Sequence, residues 1–256
     1  MPKKSLGQHW LTDRRVLAAI ANEASLTSTD TVLEIGPGLG TLTSELLRRV
    51  KKVVAVEFDA DLARKLPGQF PGKNLEVIHA DILDFDLSKL PSGYKVVANV
   101  PYYITSKIVQ KLSEAANPPE VAVILVQKEV AERIAAAPGD MSMLSVSAQV
   151  FFEATTGVKV PREYFTPLPE VDSQTVVLRR RSAPLVPNGE QKAFFRLVRA
   201  GFSERRKKLR SSLAGGLHMP KAHVDELLQK AGIGPGVRAQ ELSIEQWYSL
   251  QRILEV

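Results

Sequence analysis

Apolar positions along this chain fall into two kinds of run. The first kind is short and continuous. Thr31-Val32-Leu33-Glu34-Ile35, Val53-Val54-Ala55-Val56-Glu57, Leu75-Glu76-Val77-Ile78-His79, Lys95-Val96-Val97-Ala98-Asn99 and Val121 to Val126 are each strand-sized and mostly apolar. Such runs suit strands buried on both faces. The second kind has helical spacing. In Thr41 to Val50, Leu42, Leu46 and Leu47 share one face, and Ile104 to Leu112 and Lys128 to Ala136 read the same way. Strands alternating with helices predict an α/β fold, a mostly parallel sheet with helices on both faces. The more broken runs near Val150 to Val160 and Thr175 to Arg179 are expected to form a closing hairpin at one sheet edge.

The strand pattern stops at Ser182-Ala183-Pro184-Leu185-Val186-Pro187-Asn188-Gly189. Two prolines and a glycine there read as a linker. Beyond it only helical periodicity remains, predicting helices over Lys192 to Gly201, Glu204 to Leu213, Lys221 to Ala231 and Ile244 to Leu254. The expected organisation is a large α/β domain over residues 1–183 and a small all-helical one over 184–256.

Charge sharpens that division. The net charge is +6, but residues 179–256 hold 15 Lys and Arg against 7 Asp and Glu, while residues 1–178 are close to balanced. A basic tail on a near-neutral body points to a polyanion, nucleic acid first. Cysteine is absent, which removes disulfides, thiolate metal sites and Cys nucleophiles. His79, His218 and His223 show no metal-ligand spacing, so no metal is expected. No apolar run approaches the roughly 20 residues that cross a bilayer, and Met1-Pro2-Lys3-Lys4 does not lead into a secretory core. A cytoplasmic, monomeric protein is the expectation.

Chemistry concentrates at the strand ends. Glu34-Ile35-Gly36-Pro37-Gly38-Leu39-Gly40 closes the first strand with a turn whose Gly36 and Gly38 let a ligand approach the backbone. Glu57 ends the second strand, where an acid can accept both ribose hydroxyls of a nucleoside cofactor. Asp81, beside Ile82, follows the third strand, where a carboxylate can accept from an adenine amino group. Glycines at 36, 38 and 40 depart from the dinucleotide spacing, because Thr41 stands at its third glycine. S-adenosylmethionine has no phosphate and fits this pattern better. The fourth strand ends Asn99-Val100-Pro101-Tyr102. The Asn99 side-chain oxygen and a backbone carbonyl of Val100 or Pro101 can accept both N–H bonds of an exocyclic amino group, and Tyr102 can stack under its base.

With these motifs in place, the sequence resembles the rRNA adenine N6-dimethyltransferase family, a branch of the class I S-adenosylmethionine-dependent methyltransferases, and within it the bacterial small-subunit type. The resemblance runs from Lys4-Ser5-Leu6-Gly7-Gln8-His9-Trp10-Leu11 through Glu34 to Gly40, Asn99 to Tyr102, Val126 to Arg133 and Phe165 to Ser173, and ends at Phe202 to Leu213. It implies a class I methyltransferase (Rossmann-like) fold. It also implies transfer of methyl groups from S-adenosylmethionine, leaving S-adenosylhomocysteine, to N6 of two adjacent adenosines near the 3′ end of small-subunit (16S) rRNA. By position, Gln8, His9 and Leu11 would close over the cofactor. Gly36, Gly38, Glu57, Asp81, Ile82 and Asn99 would hold it. Asn99, Val100, Pro101 and Tyr102 would meet the base, with Phe165 completing a sandwich around a flipped adenine. Arg205, Arg206, Lys207, Lys208 and Arg210 would contact phosphates; the alternative, and the lesser one even without the resemblance, is a solvated helix face.

The chain departs from the family pattern in places. His9-Trp10 stands where Asn-Phe is usual, Val100 replaces a Leu, and Leu168 and Glu170 replace Pro and Lys. A large-subunit enzyme of the macrolide-resistance type shares the catalytic motifs but usually lacks the basic segment. A mainly non-catalytic ribosome-assembly factor is a further alternative. A nicotinamide-dependent dehydrogenase leaves Asn99 to Tyr102 and the basic tail without a role.

Overall fold

The computed structural model describes residues 9–204 and 206–254. Its strands are β1 (Trp10–Leu11), β2 (Thr31–Ile35), β3 (Lys52–Glu57), β4 (Leu75–His79), β5 (Lys95–Asn99), β6 (Val121–Gln127), β7 (Phe152–Val160), β8 (Phe165–Thr166) and β9 (Ser173–Arg180). Helices α1 (Arg14–Glu23), α2 (Thr41–Leu46), α3 (Ala60–Lys65), α4 (Thr105–Glu114) and α5 (Lys128–Ile134) lie between strands. Helices α6 (Met143–Gln149), α7 (Gln191–Gly201), α8 (Leu209–Gly216), α9 (Lys221–Lys230) and α10 (Ile244–Leu254) complete the fold.

Two compact units form. The first comprises residues 1–132 and 153–180. Its sheet runs β4-β3-β2-β5-β6-β9-β7. β4, β3, β2, β5 and β6 are mutually parallel, and β9 is antiparallel to β6. β9 and β7 close one edge, as the broken runs suggest. Val32, Val53, Val97 and Val123 pack on one face with Leu17 and Ile20 of α1 and Leu42 and Leu46 of α2. Leu33, Val54, Val96 and Ile124, which alternate with them, are just as buried. Both faces are therefore covered, and the strands need apolar side chains on each.

The chain runs from β2 outward to β3 and β4, then returns to β5 on the other side of β2. That reversal opens a crevice at the carboxyl ends of β2 and β5, where α/β sheets bind ligands.

The second unit comprises residues 133–152 and 181–256. Its core gathers Phe194, Leu197, Val198, Leu213, Val224, Leu228 and Trp247 around Val146 and Val150. A side chain at Gly201 would run into the Trp247 ring, so helix α7 requires glycine there. The linker reading places the break after residue 183. The compact units divide at 180–181 instead, and α6 belongs with the later helices, because Val146 and Val150 are buried among them. Helix ends differ too. The helix expected over Glu204 to Leu213 is α8, Leu209–Gly216, because Lys208 is extended at φ −62° and ψ 147°. Residues 206 and 207 are turn and bend.

Candidate active site at the strand ends

Four neighbouring strands deliver the site in their sheet order. Asp81 follows β4, Glu57 ends β3, Gly36 and Gly38 follow β2, and Asn99 ends β5. All of them line one cavity, together with His9, Trp10, Leu11, Ile82, Val100, Pro101 and Tyr102. The cavity thus brings together the sequence-predicted cofactor and base residues within the described part of the chain, Phe165 excepted. Gln8 lies outside the described residues.

The glycine turn is shaped by backbone conformation. Gly36, Gly38 and Gly40 have φ of +68°, +58° and +79°, the left-handed region that other residues rarely adopt. Their N–H groups are already engaged. Gly36 N donates to Val56 O (2.9 Å), Gly38 N to Glu57 Oε2 (3.0 Å) and Gly40 N to Pro37 O (2.9 Å). A turn that cradles pyrophosphate needs such N–H groups free. This one uses them to tie β2 to β3 and to orient an acid.

Glu57 is fixed on both oxygens. Oε2 accepts Gly38 N, and Oε1 accepts Asp59 N at 2.8 Å. Each oxygen keeps a second lone pair for a ribose hydroxyl. Asp81 Oδ1 accepts Leu83 N at 2.8 Å, which holds the carboxylate at the end of β4. Ile82 beside it is buried and offers an apolar face.

Glu34 is a third acid in the wall, and the sequence reading gave it no role beyond its motif. It is 1% exposed. Among the described residues its polar neighbour is Thr43, whose hydroxyl and N–H sit beside the carboxyl without full hydrogen-bond geometry. Burial pushes the Glu34 carboxyl up to about 8. Thr43 pulls the other way, and the charge of nearby Glu57 adds to the rise. The signal that could have found it is an acid in a strand otherwise buried on both faces, where a charge has no water.

The cavity wall therefore carries the carboxylates of Glu57 and Asp81, a Glu34 carboxyl that stays mostly protonated below about pH 8, and no Lys or Arg among the described residues. Such a site suits a cation and repels a phosphate. S-adenosylmethionine, a sulfonium, fits this set; a nicotinamide dinucleotide does not. A methyl group on Gly36 would lie 3.7 Å from Asn99 O, and one on Gly38 3.7 Å from the Trp10 ring, so it is the left-handed backbone more than crowding that calls for glycine there.

At the β5 end, Asn99 Nδ2 donates to His9 O at 3.4 Å. That leaves Oδ1 free to accept. Ile104 N donates to Pro101 O at 3.3 Å. Of the two carbonyls considered from the sequence, Val100 O is the one with no backbone partner among the described residues. Tyr102 is pinned by a 2.8 Å bond between its hydroxyl and Ser173 Oγ. Burial holds its phenol above the usual range, against the opposing pull of Ser173. His9 packs near-parallel on it, with centroids 5.8 Å apart. Because Pro167 O can only accept, the His9 Nδ1 atom 2.8 Å away must carry hydrogen.

Phe165 does not reach the cavity. It pairs with Leu11 in the β1–β8 ribbon and is buried in the core with it. The ring beside Tyr102 is that of His9, and Phe165 supports the ribbon from behind. In the second unit, Arg206, Lys207 and Lys208 are exposed, whereas Arg210 is only partly so. Lys207 pairs with Glu204 and Arg210 with Asp225, each at 2.6 Å. Arg205 lies outside the described residues. Among the described residues, no helix is long and apolar enough to cross a membrane.

The family model described as ribosomal RNA adenine dimethylase matches residues 2–255. A ribosomal RNA small subunit methyltransferase A of Dehalococcoides mccartyi is 43% identical over 97% of this chain and 87% of its own length. One from Bacillus pumilus is 40% identical over 99% of this chain and 91% of its own. Among solved structures, the 23S rRNA methyltransferase ErmE is 35% identical with a TM-score of 0.78, covering 96% of this chain and 100% of that one. A dimethyladenosine transferase from Plasmodium falciparum is 28% identical with a TM-score of 0.81, covering 94% and 96%. The fold is that of the class I methyltransferases, and with a family match across almost its whole length the chain belongs to the ribosomal RNA adenine dimethylases.

Proposed function

We propose that this chain uses S-adenosylmethionine to dimethylate N6 of two adjacent adenosines in a hairpin near the 3′ end of small-subunit rRNA. The observation that carries the reading is the β5 end, where Asn99 Oδ1 and Val100 O remain available beside the Tyr102 ring and next to the acid-lined cavity. The names of the curated relatives support the small subunit as the source of the RNA.

When bound, the cofactor supplies a methyl group on a positively charged sulfur. Glu57 would hold the ribose, and Asp81 with Ile82 the adenine. An adenine amino group is a poor nucleophile, because its lone pair is delocalised into the ring. Asn99 Oδ1 and Val100 O would each accept one of its N–H bonds. That orients the nitrogen as it becomes tetrahedral and favours in-line attack. Tyr102 would stack on the base once it has left its helix. No strong base is required, since the alkylated nitrogen is acidic and gives its proton to water. In the second unit, Arg206 and Lys208 would contact RNA phosphates.

The test is methyl transfer from labelled S-adenosylmethionine to small subunits lacking the modification, with products mapped by nuclease digestion and mass spectrometry. Dimethyladenosine at the adjacent pair is the expected product. Transfer to large-subunit RNA alone would shift the assignment to the activity named for ErmE. Tight binding without transfer would make the chain an assembly factor.

A further inference from the structure

The adenosine end of the cofactor accounts for Glu57 and Asp81, but two further polar groups in the same wall are buried without full hydrogen-bond geometry. One is Glu34. The other is the indole N–H of Trp10, whose Nε1 is buried without an acceptor among the described residues. Both flank the glycine turn. Glu34 stands two residues before Gly36. The pyrrole edge of Trp10 faces Gly38, since a methyl group built there would lie 3.7 Å from both Cδ1 and Nε1. The β1–β8 ribbon sets the ring in place through the pairing of Trp10 with Thr166.

A buried donor and a buried acid at one turn complement an α-amino acid, which carries a carboxylate and an ammonium. The carboxylate is the harder group to satisfy here. No Lys or Arg among the described residues lines the cavity, and the three glycine N–H groups already donate elsewhere. Asn99 Nδ2 is turned to His9 O, and the Thr41 hydroxyl donates to Leu11 O at 2.8 Å. Besides the backbone N–H groups at Leu39 and the start of α2, the side-chain donor that remains against the turn is a neutral one. Leaving it unpaired is costly, and hydrogen bonds to charged groups are among the stronger ones.

We infer that the Trp10 indole N–H binds the carboxylate at the amino-acid end of S-adenosylmethionine. The inference rests on the cofactor reading above. It assigns Trp10 a role that the Phe usual at this place in the resembling family lacks the donor to perform.

The experiment is equilibrium calorimetry of wild type and Trp10→Phe, a change that keeps the ring and removes the donor. Three ligands are titrated: S-adenosylmethionine, its decarboxylated form, and 5′-methylthioadenosine, which lacks the whole amino-acid end. The expected result is a roughly 10- to 100-fold weaker Kd for S-adenosylmethionine in the variant. The other two ligands should bind both proteins within about twofold. An unchanged Kd for S-adenosylmethionine overturns the inference. So does an equal loss for all three ligands, which would mean that the indole acts by packing. Those outcomes leave the cofactor reading standing. If wild type binds no S-adenosylmethionine, that reading falls and the inference with it.

Discussion

The strand ends of the first unit and the basic run of the second carry their polar groups in different ways. At the strand ends, Asp81, Glu57, Gly36 and Asn99 occupy successive positions across parallel neighbours, so backbone register fixes their spacing. In the run from residue 206 to 210, no ladder fixes the charged groups. Lys207 and Arg210 are drawn to Glu204 and Asp225, while Arg206 and Lys208 have no ion pair among the described residues. A residue's place in a sheet is legible from sequence because the sheet determines it. Which cation of a cluster is free depends on acids from elsewhere.

The sharpest break of this comparison is Asn99→Ala. Removing one acceptor for the amino group should lower the single-turnover rate at saturating cofactor by about 10²- to 10³-fold, the usual cost of losing one preorganised polar group. A rate within threefold of wild type would show that register alone does not make Asn99 catalytic.

Glu34 tests the same strand end through stability. Its folded pKa, raised from 4.5 to about 8, means the folded protein holds a proton that the unfolded chain releases in between. The contribution is fully present below about pH 4.5 and fades as pH rises toward 8. Cofactor-free wild type should therefore lose roughly 3 kcal/mol between about pH 5 and pH 8 relative to Glu34→Gln. Denaturant titrations at both pH values measure this. Parallel pH profiles would show Glu34 to be ionised.

Gly40→Ala asks how rigid the turn is. Gly40 sits at φ +79°, and an added methyl group would lie 2.7 Å from Leu66 Cδ1 and 3.0 Å from the Phe70 ring. A loss of about 2 kcal/mol is expected from backbone strain and crowding together, read from the shift in denaturant midpoint. The smallest effect is reserved for the basic run. Arg206→Ala and Lys208→Ala should each lower the slope of log K against log salt for RNA binding by roughly 0.7–0.9. Lys207→Ala and Arg210→Ala should change it less, because each frees an acid as well. Equal slopes for all four would erase the distinction between paired and free cations.

The sheet strands and much of the candidate site were readable because each left a local mark: continuous apolar runs, and glycines after a strand. What escaped was what depends on distant partners. Helix α6 has too few residues to show a period, and its Val146, with Val150 just beyond its end, acquires meaning only beside Phe194 and Trp247. Phe165 matched a motif, but in a strand of two residues alternation cannot say which way a ring points, and pairing with Leu11 turned it inward. Helix α8 begins later than its charge and leucine spacing suggest, because the extended backbone at Lys208 decides where the first turn can start. Trp10 read as aromatic bulk, and its N–H became informative only once its neighbours were seen to offer no acceptor.

The interleaving of the two units has a consequence for how the chain is made. Synthesis is vectorial, and residues 133–152 leave the ribosome before any other part of the second unit. Met141, Val146 and Val150 must then wait for their core companions, which continue as far as Leu254. During that interval a greasy segment stands uncovered, the kind of exposure that invites aggregation. A fragment cut after residue 180 would hold that segment permanently bare. Separate expression of the first unit therefore calls for replacing residues 133–152 with a short polar loop, not for a terminal truncation.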